Sequence, residues 1–183
     1  VPAAVHEPTS TSQVAAIVRS AAAAGERVKV IGGAHSFTDI AMTDGHLLSL
    51  DAMNRVIRVG GNEGFDVTVQ AGIRLYELNE QLATRGLALP NLGDINRQSI
   101  AGAISTATHG TGAGHGNLAT TIVALELVAG DGTILPDEVL DDGGARVPRA
   151  FPRCAVVSAR HQAVHEERHR GHVDARWHGR ADD

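Results

Sequence analysis

A glycine-containing loop near the N-terminus is the first segment whose residue types could do chemistry. It runs Gly32-Gly-Ala-His-Ser36 and directly follows Val28-Lys-Val-Ile31, an apolar run typical of a short strand. Backbone N–H groups of such a loop can turn inward and hold an anion such as a pyrophosphate. The spacing matches neither the Gly-x-Gly-x-x-Gly motif of a dinucleotide-binding helix nor the P-loop of nucleotide triphosphatases. The loop therefore indicates either a phosphate cradle of another kind or an ordinary turn.

A second run of small residues extends from Ser99 to Gly114. Its hydroxyl groups belong to Ser99, Ser105, Thr106, Thr108 and Thr111. A run with so little bulk can pack flat against a planar ligand, to which the hydroxyls offer hydrogen bonds. A close-packed crossing of two backbone segments is the alternative interpretation.

These two segments and a third, Val67-Thr-Val-Gln-Ala-Gly72, resemble the FAD-binding domain of the vanillyl-alcohol-oxidase (PCMH-type) flavoprotein superfamily. Within it the chain is most similar to the aldonolactone oxidoreductases, which are L-gulono-1,4-lactone and D-arabinono-1,4-lactone oxidases or dehydrogenases, with alditol oxidase nearby. The resemblance runs from about Glu7 to Leu135 and rests on three motifs in the right order. It implies an α+β, PCMH-type domain of two small α/β lobes that binds FAD between them.

The resemblance also implies which residues contact FAD. The pyrophosphate loop would comprise Ile31, Gly32, Gly33, Ala34, His35, Ser36 and Phe37. The second motif would contribute Asp94, Ser99, Gly102, Thr106, Ala107, Thr108 and His109. Because many members carry the flavin covalently on the corresponding histidine, a link at His35 is expected. Two positions depart from the family, since Ala34 stands where many relatives have Gly, and alditol oxidase has a hydroxyl residue in place of Asp94.

The activity that the resemblance implies is oxidation of a hydroxyl group of a sugar lactone or polyol, with electrons passed through FAD to oxygen or another acceptor. The family's full-length enzymes continue through a further FAD-binding segment and a substrate-binding domain that orients the substrate. We therefore assign no catalytic residue here and expect the 183 residues alone to show little turnover. Two alternatives stay open: a non-catalytic product without stable flavin binding, and a His-rich metal-binding module.

Composition excludes several other classes of function. The net charge of −5 and a pI near 6.0 give no broad positive field for nucleic-acid phosphates. The single cysteine, Cys154, excludes an internal disulfide framework and suits a reducing compartment. No secretory leader is recognisable, and no stretch reaches the roughly 18 apolar residues of a membrane span. We expect a cytoplasmic protein that acts on a small molecule; its oligomeric state stays open.

Apolar periodicity predicts the elements that position these segments. One helix is expected over about residues 11–24, where Ser10 and Gln13 are placed as a capping box, and another over residues 73–85. Short strands are expected near residues 28–31, 46–50, 55–59, 65–70 and 122–128, with another beginning at residue 134. This order lacks the regular alternation of a doubly wound sheet and favours an α+β fold.

The composition changes near Pro136. Residues 1–136 hold 35 of the 42 Ile, Leu and Val residues, whereas residues 137–183 hold seven but carry half of the Lys, Arg and His residues. We predict a FAD-binding domain over residues 1–136, with lobes of about 1–60 and 61–136, followed by a poorly structured tail over residues 137–183. The chain has one lysine and 15 arginines, which indicates GC-rich coding DNA. A shifted reading frame in such DNA tends to encode Arg, Ala, Gly, His and Pro, and the tail is rich in these residues. The tail is therefore interpreted as frameshifted, and a naturally polar tail is the alternative.

Histidines in this tail recur every four residues at His161, His165 and His169. A helix would align them on one face, in a spacing that can chelate zinc or nickel. A solvated polar tail is the favoured interpretation, and we assign no metal site.

Overall fold

The protein is described by a computed structural model at residues 1–60, 66–112, 114–139, 155–162 and 164–165. Its helices are Thr11–Ala23 (α1), Leu75–Ala83 (α2) and Ile100–Ser105 (α3), with 3-10 turns at Asp39–Ala41 and Leu118–Thr121. Its strands are Ala4–His6 (β1), Val28–Ile31 (β2), His46–Ser49 (β3), Val56–Val59 (β4), Asp66–Gln70 (β5), Leu87–Ala88 (β6), Ile122–Val128 (β7), Ile134–Val139 (β8), Ala155–Gln162 (β9) and Val164–His165 (β10). This mixture of helices and strands confirms the predicted α+β class.

The first three strands form a parallel sheet in the order β1-β3-β2. Helix α1 connects β1 to β2 and packs Val14 and Val18 against Leu48 of β3. The helix begins as predicted, because the hydroxyl of its N-cap Ser10 accepts a hydrogen bond from the Gln13 N–H at 3.3 Å. Parallel pairing places the carboxyl ends of β2 and β3 at the same edge of the sheet.

A second, antiparallel sheet has the strand order β4-β5-β9-β7-β8. Leu75, Leu78 and Leu82 of α2 are buried in the larger core, as their spacing predicts. The helix is shorter than the expected 73–85 because Arg74 is its N-cap and Thr84 its C-cap. Residues from α3, β5 and β7 also belong to this core: Val67, Val69, Ile100, Ala103, Ile104, Ile122, Leu125 and Leu127.

Strands β9 and β10 lie in the region that the sequence assigns to the tail, and β8 runs into it as far as Val139. Strand β9 pairs with β5 on one side and with β7 on the other, and β10 pairs with β6. His161 belongs to β9 and His165 to β10, so these two histidines are not aligned on a helix. His169 and most of residues 140–183 fall outside the described part of the chain. The boundary near Pro136 and the frameshift remain predictions.

The two sheets share a core. The last strand of the first sheet along the chain is β3, which ends at Ser49. The next strand, β4, begins at Val56 and belongs to the second sheet. Leu50, which follows β3, packs in one cluster with Ala71, which follows β5, and with Val128 of β7. The predicted lobe limits of 1–60 and 61–136 remain predictions. Neither α1 nor any other helix in the described residues is long and apolar enough to cross a membrane.

Candidate functional site

The glycine-containing loop leaves the carboxyl end of β2, where Ile31 is paired with Ser49 of β3. The hydrogen bonds found among the described residues use none of the backbone N–H groups of residues 33–36. Ala34 has a φ of +56°, in the left-handed region that costs energy for a residue with a Cβ. The loop therefore combines available backbone donors with a strained turn, as anion-binding loops do.

Close backbone packing explains why two glycines open this loop. A Cβ placed on Gly32 would lie 2.2 Å from the Ser99 hydroxyl oxygen. A Cβ on Gly33 would lie 2.6 Å from Arg74 Nη1 and 2.7 Å from the Arg97 carbonyl oxygen. The loop is thus pressed against residues 97–99, which lead into α3.

The second small-residue segment is shaped by its own hydroxyl groups. Ser99 is 1% exposed and caps α3, since its hydroxyl accepts a hydrogen bond from the Gly102 N–H at 3.3 Å. Thr106 donates its hydroxyl to the Gly102 carbonyl oxygen at 2.9 Å and lies 3.2 Å from the Thr108 hydroxyl. The amide of Gln98 donates to the Thr108 hydroxyl at 3.0 Å. These bonds hold Gln98 and Thr106 at the two ends of α3.

Both segments line one cavity of about 570 Å³. Its lining consists of Val30, Ile31, Gly32, Gly33, Ala34, His35, Ser36, Thr38, Ile40, Ala41, Met42, Leu50, Gln98, Ser99, Ala101, Gly102, Ser105 and Thr106. The volume falls within the roughly 300–1,000 Å³ of small-molecule pockets. His35, which is half-buried, supplies the one titratable side chain in this lining. The cavity is therefore a small-residue, largely uncharged cleft beside the loop.

The structure brings nine of the fourteen predicted cofactor residues to this cavity. They are Ile31, Gly32, Gly33, Ala34, His35, Ser36, Ser99, Gly102 and Thr106. The other five lie outside the lining: Phe37, Asp94, Ala107, Thr108 and His109. Phe37 is 96% exposed, Asp94 and His109 are exposed, and Thr108 acts on the lining through Gln98. The cofactor contacts themselves remain a proposal.

Several lining residues escaped the sequence analysis. Ile40 and Met42, from the 3-10 turn and the residue that caps it, line the cavity while remaining 65% and 68% exposed. Gln98 precedes Ser99 and could have been found by extending the second motif by one residue. Leu50 and Ala101 reach the cavity through tertiary packing, for which the sequence has no local signal.

Metal chemistry has no support in the described part of the chain. Among those residues, no three His, Cys, Asp or Glu side chains lie close enough together to hold a metal ion. His6 and His46 stack with ring centroids 5.1 Å apart, and His46 contacts Glu26 at 2.6 Å. These three side chains form a hydrogen-bonded chain, not a convergent ligand set.

The residues present fit a flat cofactor that carries phosphate. The loop offers backbone N–H donors, and the cavity walls combine glycine, alanine and hydroxyl side chains with larger apolar ones such as Ile31, Met42 and Leu50. A family model described as "FAD binding domain" matches residues 2–136. The chain belongs to this FAD-binding domain family. Its cofactor is FAD.

The relatives that this chain matches are much longer proteins. L-gulono-1,4-lactone dehydrogenase of Mycobacterium tuberculosis is 46% identical over 141 residues, which cover 77% of this chain and 33% of that protein. L-gulonolactone oxidase of Mus musculus is 46% identical over 71% of this chain and 29% of its own length. D-arabinono-1,4-lactone oxidase of Yarrowia lipolytica is 41% identical over 75% and 27%, respectively. The chain thus spans a third or less of these relatives.

Solved structures share the fold at low sequence identity. Cholesterol oxidase from Brevibacterium sterolicum, as a His121Ala mutant, superposes with a TM-score of 0.73 at 20% identity over 88% of this chain and 34% of that one. An alkyldihydroxyacetonephosphate synthase gives a TM-score of 0.72 at 19% identity over 88% and 31%. These neighbours share the fold of this chain, and its FAD-binding character rests on the family match over residues 2–136.

Proposed function

We propose that this chain is the FAD-binding part of an oxidoreductase that acts on CH–OH groups of sugar 1,4-lactones or polyols. The observation that carries the proposal is the convergence of two separate small-residue motifs on one cavity. Lactone oxidases and dehydrogenases that are 41–46% identical to the matched region support the substrate class. Oxygen or another molecule would accept the electrons.

In this proposal, residues 33–36 bind the pyrophosphate through their backbone N–H groups, which have no other partner among the described residues. Gly102 and Thr106 line the cavity on the side of α3, where small side chains allow close approach of a planar ring. When bound, FAD accepts the electrons removed from the substrate carbon. We assign no catalytic residue within this chain.

We also propose that His35 carries the covalent link to the flavin. It is the titratable side chain of the cavity lining, and it lies half-buried in the loop that would hold the pyrophosphate. Its neighbours Ala34 and Ser36 are exposed, so this part of the loop is accessible to a ligand.

For location, we propose the cytoplasm, on the strength of one cysteine in 183 residues and no disulfide framework. The partner in this setting is the small-molecule substrate, and nucleic acid is not expected at a net charge of −5.

The visible absorbance spectrum of the purified protein, before and after acid precipitation, tests the cofactor and its attachment. Yellow colour that stays with the pellet supports the covalent link, and His35→Ala should then release it to the supernatant. His115→Ala is the matched control, because His115 is exposed and outside the lining. Colour that leaves wild-type protein contradicts the link. A colourless protein that takes up no added FAD contradicts the whole proposal.

The substrate class needs a separate measurement. FAD-loaded protein is mixed without oxygen with L-gulono-1,4-lactone, D-arabinono-1,4-lactone or a polyol, and bleaching of the flavin band is followed. Bleaching by a lactone or a polyol identifies the substrate class, and subsequent addition of oxygen shows whether oxygen is the acceptor. Because the 183 residues alone are expected to show little turnover, the same test is made with this domain joined to the substrate-binding domain that the resemblance implies. If neither a lactone nor a polyol bleaches the flavin of that protein, the proposed activity is contradicted.

A further inference from the structure

The guanidinium of Arg74 lies where three segments around the cavity meet. Its Nη2 forms an ion pair with the carboxylate of Asp51, which follows β3. Its Nη1 donates to the Arg97 carbonyl oxygen at 3.3 Å. The same Nη1 lies 2.6 Å from where a Cβ on Gly33 would stand, so the guanidinium packs directly against the loop.

The backbone around Arg74 is tied to the same surroundings. Leu75 donates its N–H to the Gln98 carbonyl oxygen at 3.0 Å, and Gly72 donates to the Met53 carbonyl oxygen at 2.9 Å. Arg74 is therefore fixed from both sides, with its side chain 21% exposed. The Arg74 side chain, held in this way, can fix the position of the loop at Gly33.

We propose that Arg74 is a positioning residue for FAD, which sets the loop at Gly33 against the segment that leads into α3. The planar fork of arginine can contact Asp51 and Arg97 at once, whereas the single ammonium of lysine serves as a point charge. This inference rests on the FAD site described above. Arg74 does not line the cavity, so its effect passes through the loop that it supports.

The test separates binding from folding by two measurements on each purified variant. Melting without ligand reports the role of Arg74 in the fold, and a titration with FAD gives the dissociation constant. Because a covalent link would prevent reversible binding, every FAD titration is made on protein that also carries His35→Ala. Arg74→Gln should raise that constant at least about tenfold while the ligand-free protein stays folded, because two bonds of a charged donor are lost. Arg85→Gln is the matched control, since Arg85 follows α2 and donates to the Gln81 carbonyl oxygen away from the cavity.

Two further variants define how Arg74 acts. Arg74→Lys keeps the charge and should still lose most of the affinity, because one ammonium cannot make both contacts. Asp51→Asn should weaken FAD binding less than Arg74→Gln, and the double variant should bind no worse than Arg74→Gln alone.

Several outcomes would overturn the proposal. One is a lowered melting temperature with unchanged FAD affinity, which would make Arg74 structural only. Full affinity in Arg74→Lys would show that charge alone suffices. Failure of both Arg74 variants to fold would likewise assign a purely structural role. Wild-type protein that binds no FAD would contradict the FAD site itself, an outcome distinct from a variant that binds normally.

Discussion

The hydroxyl oxygen of Ser99 lies 2.2 Å from the point where a Cβ on Gly32 would stand. Ser99 is 1% exposed and caps α3 through the Gly102 N–H, so its side chain has little freedom to move. The loop that begins at Gly32 and the start of α3 are therefore in direct contact, although they belong to motifs far apart in the sequence. A change on either side of this contact should be felt on the other.

Gly32→Ala should destabilise the fold and weaken FAD binding together. The added methyl group collides with the buried side chain of Ser99, which caps α3. Overpacking of this kind costs about 1–3 kcal/mol. Urea unfolding measures the loss of stability, and an FAD titration measures the loss of affinity. Unchanged values for both would contradict the close contact.

The double variant Gly32→Ala with Ser99→Ala should be more stable than the sum of the single effects predicts. Without the hydroxyl, the nearest atom of residue 99 to the new methyl group is a Cβ at 3.4 Å, an ordinary contact. Ser99→Ala alone loses a helix cap, at about 1 kcal/mol. The measurement is a double-mutant cycle by urea unfolding, in which strict additivity would count against the contact.

Gly72→Ala should be more damaging still. A Cβ there would lie 1.7 Å from the Leu50 carbonyl oxygen and 2.9 Å from that of Met53, and backbone atoms cannot swing aside. We expect a loss of about 3 kcal/mol or more in the free energy of unfolding. Gly114→Ala is the control, because nothing lies within 4 Å of its Cβ position, and it should change stability by less than about 0.5 kcal/mol. Equal losses of stability in Gly72→Ala and Gly114→Ala would contradict the close backbone packing at Gly72.

Asp131 should contribute a pH-dependent increment of stability. The Thr133 N–H donates to its carboxylate at 2.8 Å and lowers the pKa of Asp131 below the ordinary value of 3.8. Because the folded pKa is the lower one, the contribution is complete above the ordinary value and is lost as the pH falls through the folded pKa. Wild type should exceed Asp131→Asn in unfolding free energy above about pH 5, and the gap should shrink below about pH 3. A gap that stays constant with pH would disprove this.

Local patterns in the sequence were sufficient for much of the fold. The glycines of the loop, the Ser10 cap and the leucines of α2 each encode their conformation within a few residues, and the structure follows them. The family resemblance added the cofactor and the expectation that the loop and the Ser99 segment both contact it. Both steps use only local sequence patterns and the order of the motifs along the chain, and neither uses tertiary contacts.

Features that depend on distant partners were not predictable in this way. Arg74 reads as an ordinary helix-start residue until Asp51, Arg97 and Gly33 are seen around it. The average composition of residues 137–183 does not predict strand β9, because the short apolar stretch at Val156 and Val157 is outweighed by the polar residues around it. The small residues of the Ser99 run predict no helix, whereas its cap and the burial of Ile100 wind residues 100–105 into α3.

Thr108 is expected to affect FAD binding although it does not line the cavity. Its hydroxyl accepts a hydrogen bond from the Gln98 amide at 3.0 Å and lies 3.2 Å from that of Thr106, and both partners do line the cavity. Thr108→Val keeps the shape but removes the hydroxyl, so both side chains gain freedom. We expect FAD affinity to fall by up to about tenfold, the usual net effect of one or two neutral hydrogen bonds.

The control for Thr108→Val is Thr84→Val, which removes a hydroxyl that donates to the Gln81 carbonyl oxygen at the end of α2, away from the cavity. Titration with FAD and melting without ligand are measured for both variants. Thr108→Val should lower affinity with little change in melting temperature, whereas Thr84→Val should leave affinity unchanged. Equal affinities in the two variants would mean that Gln98 and Thr106 keep their positions without Thr108, and that α3 alone orders this side of the cavity.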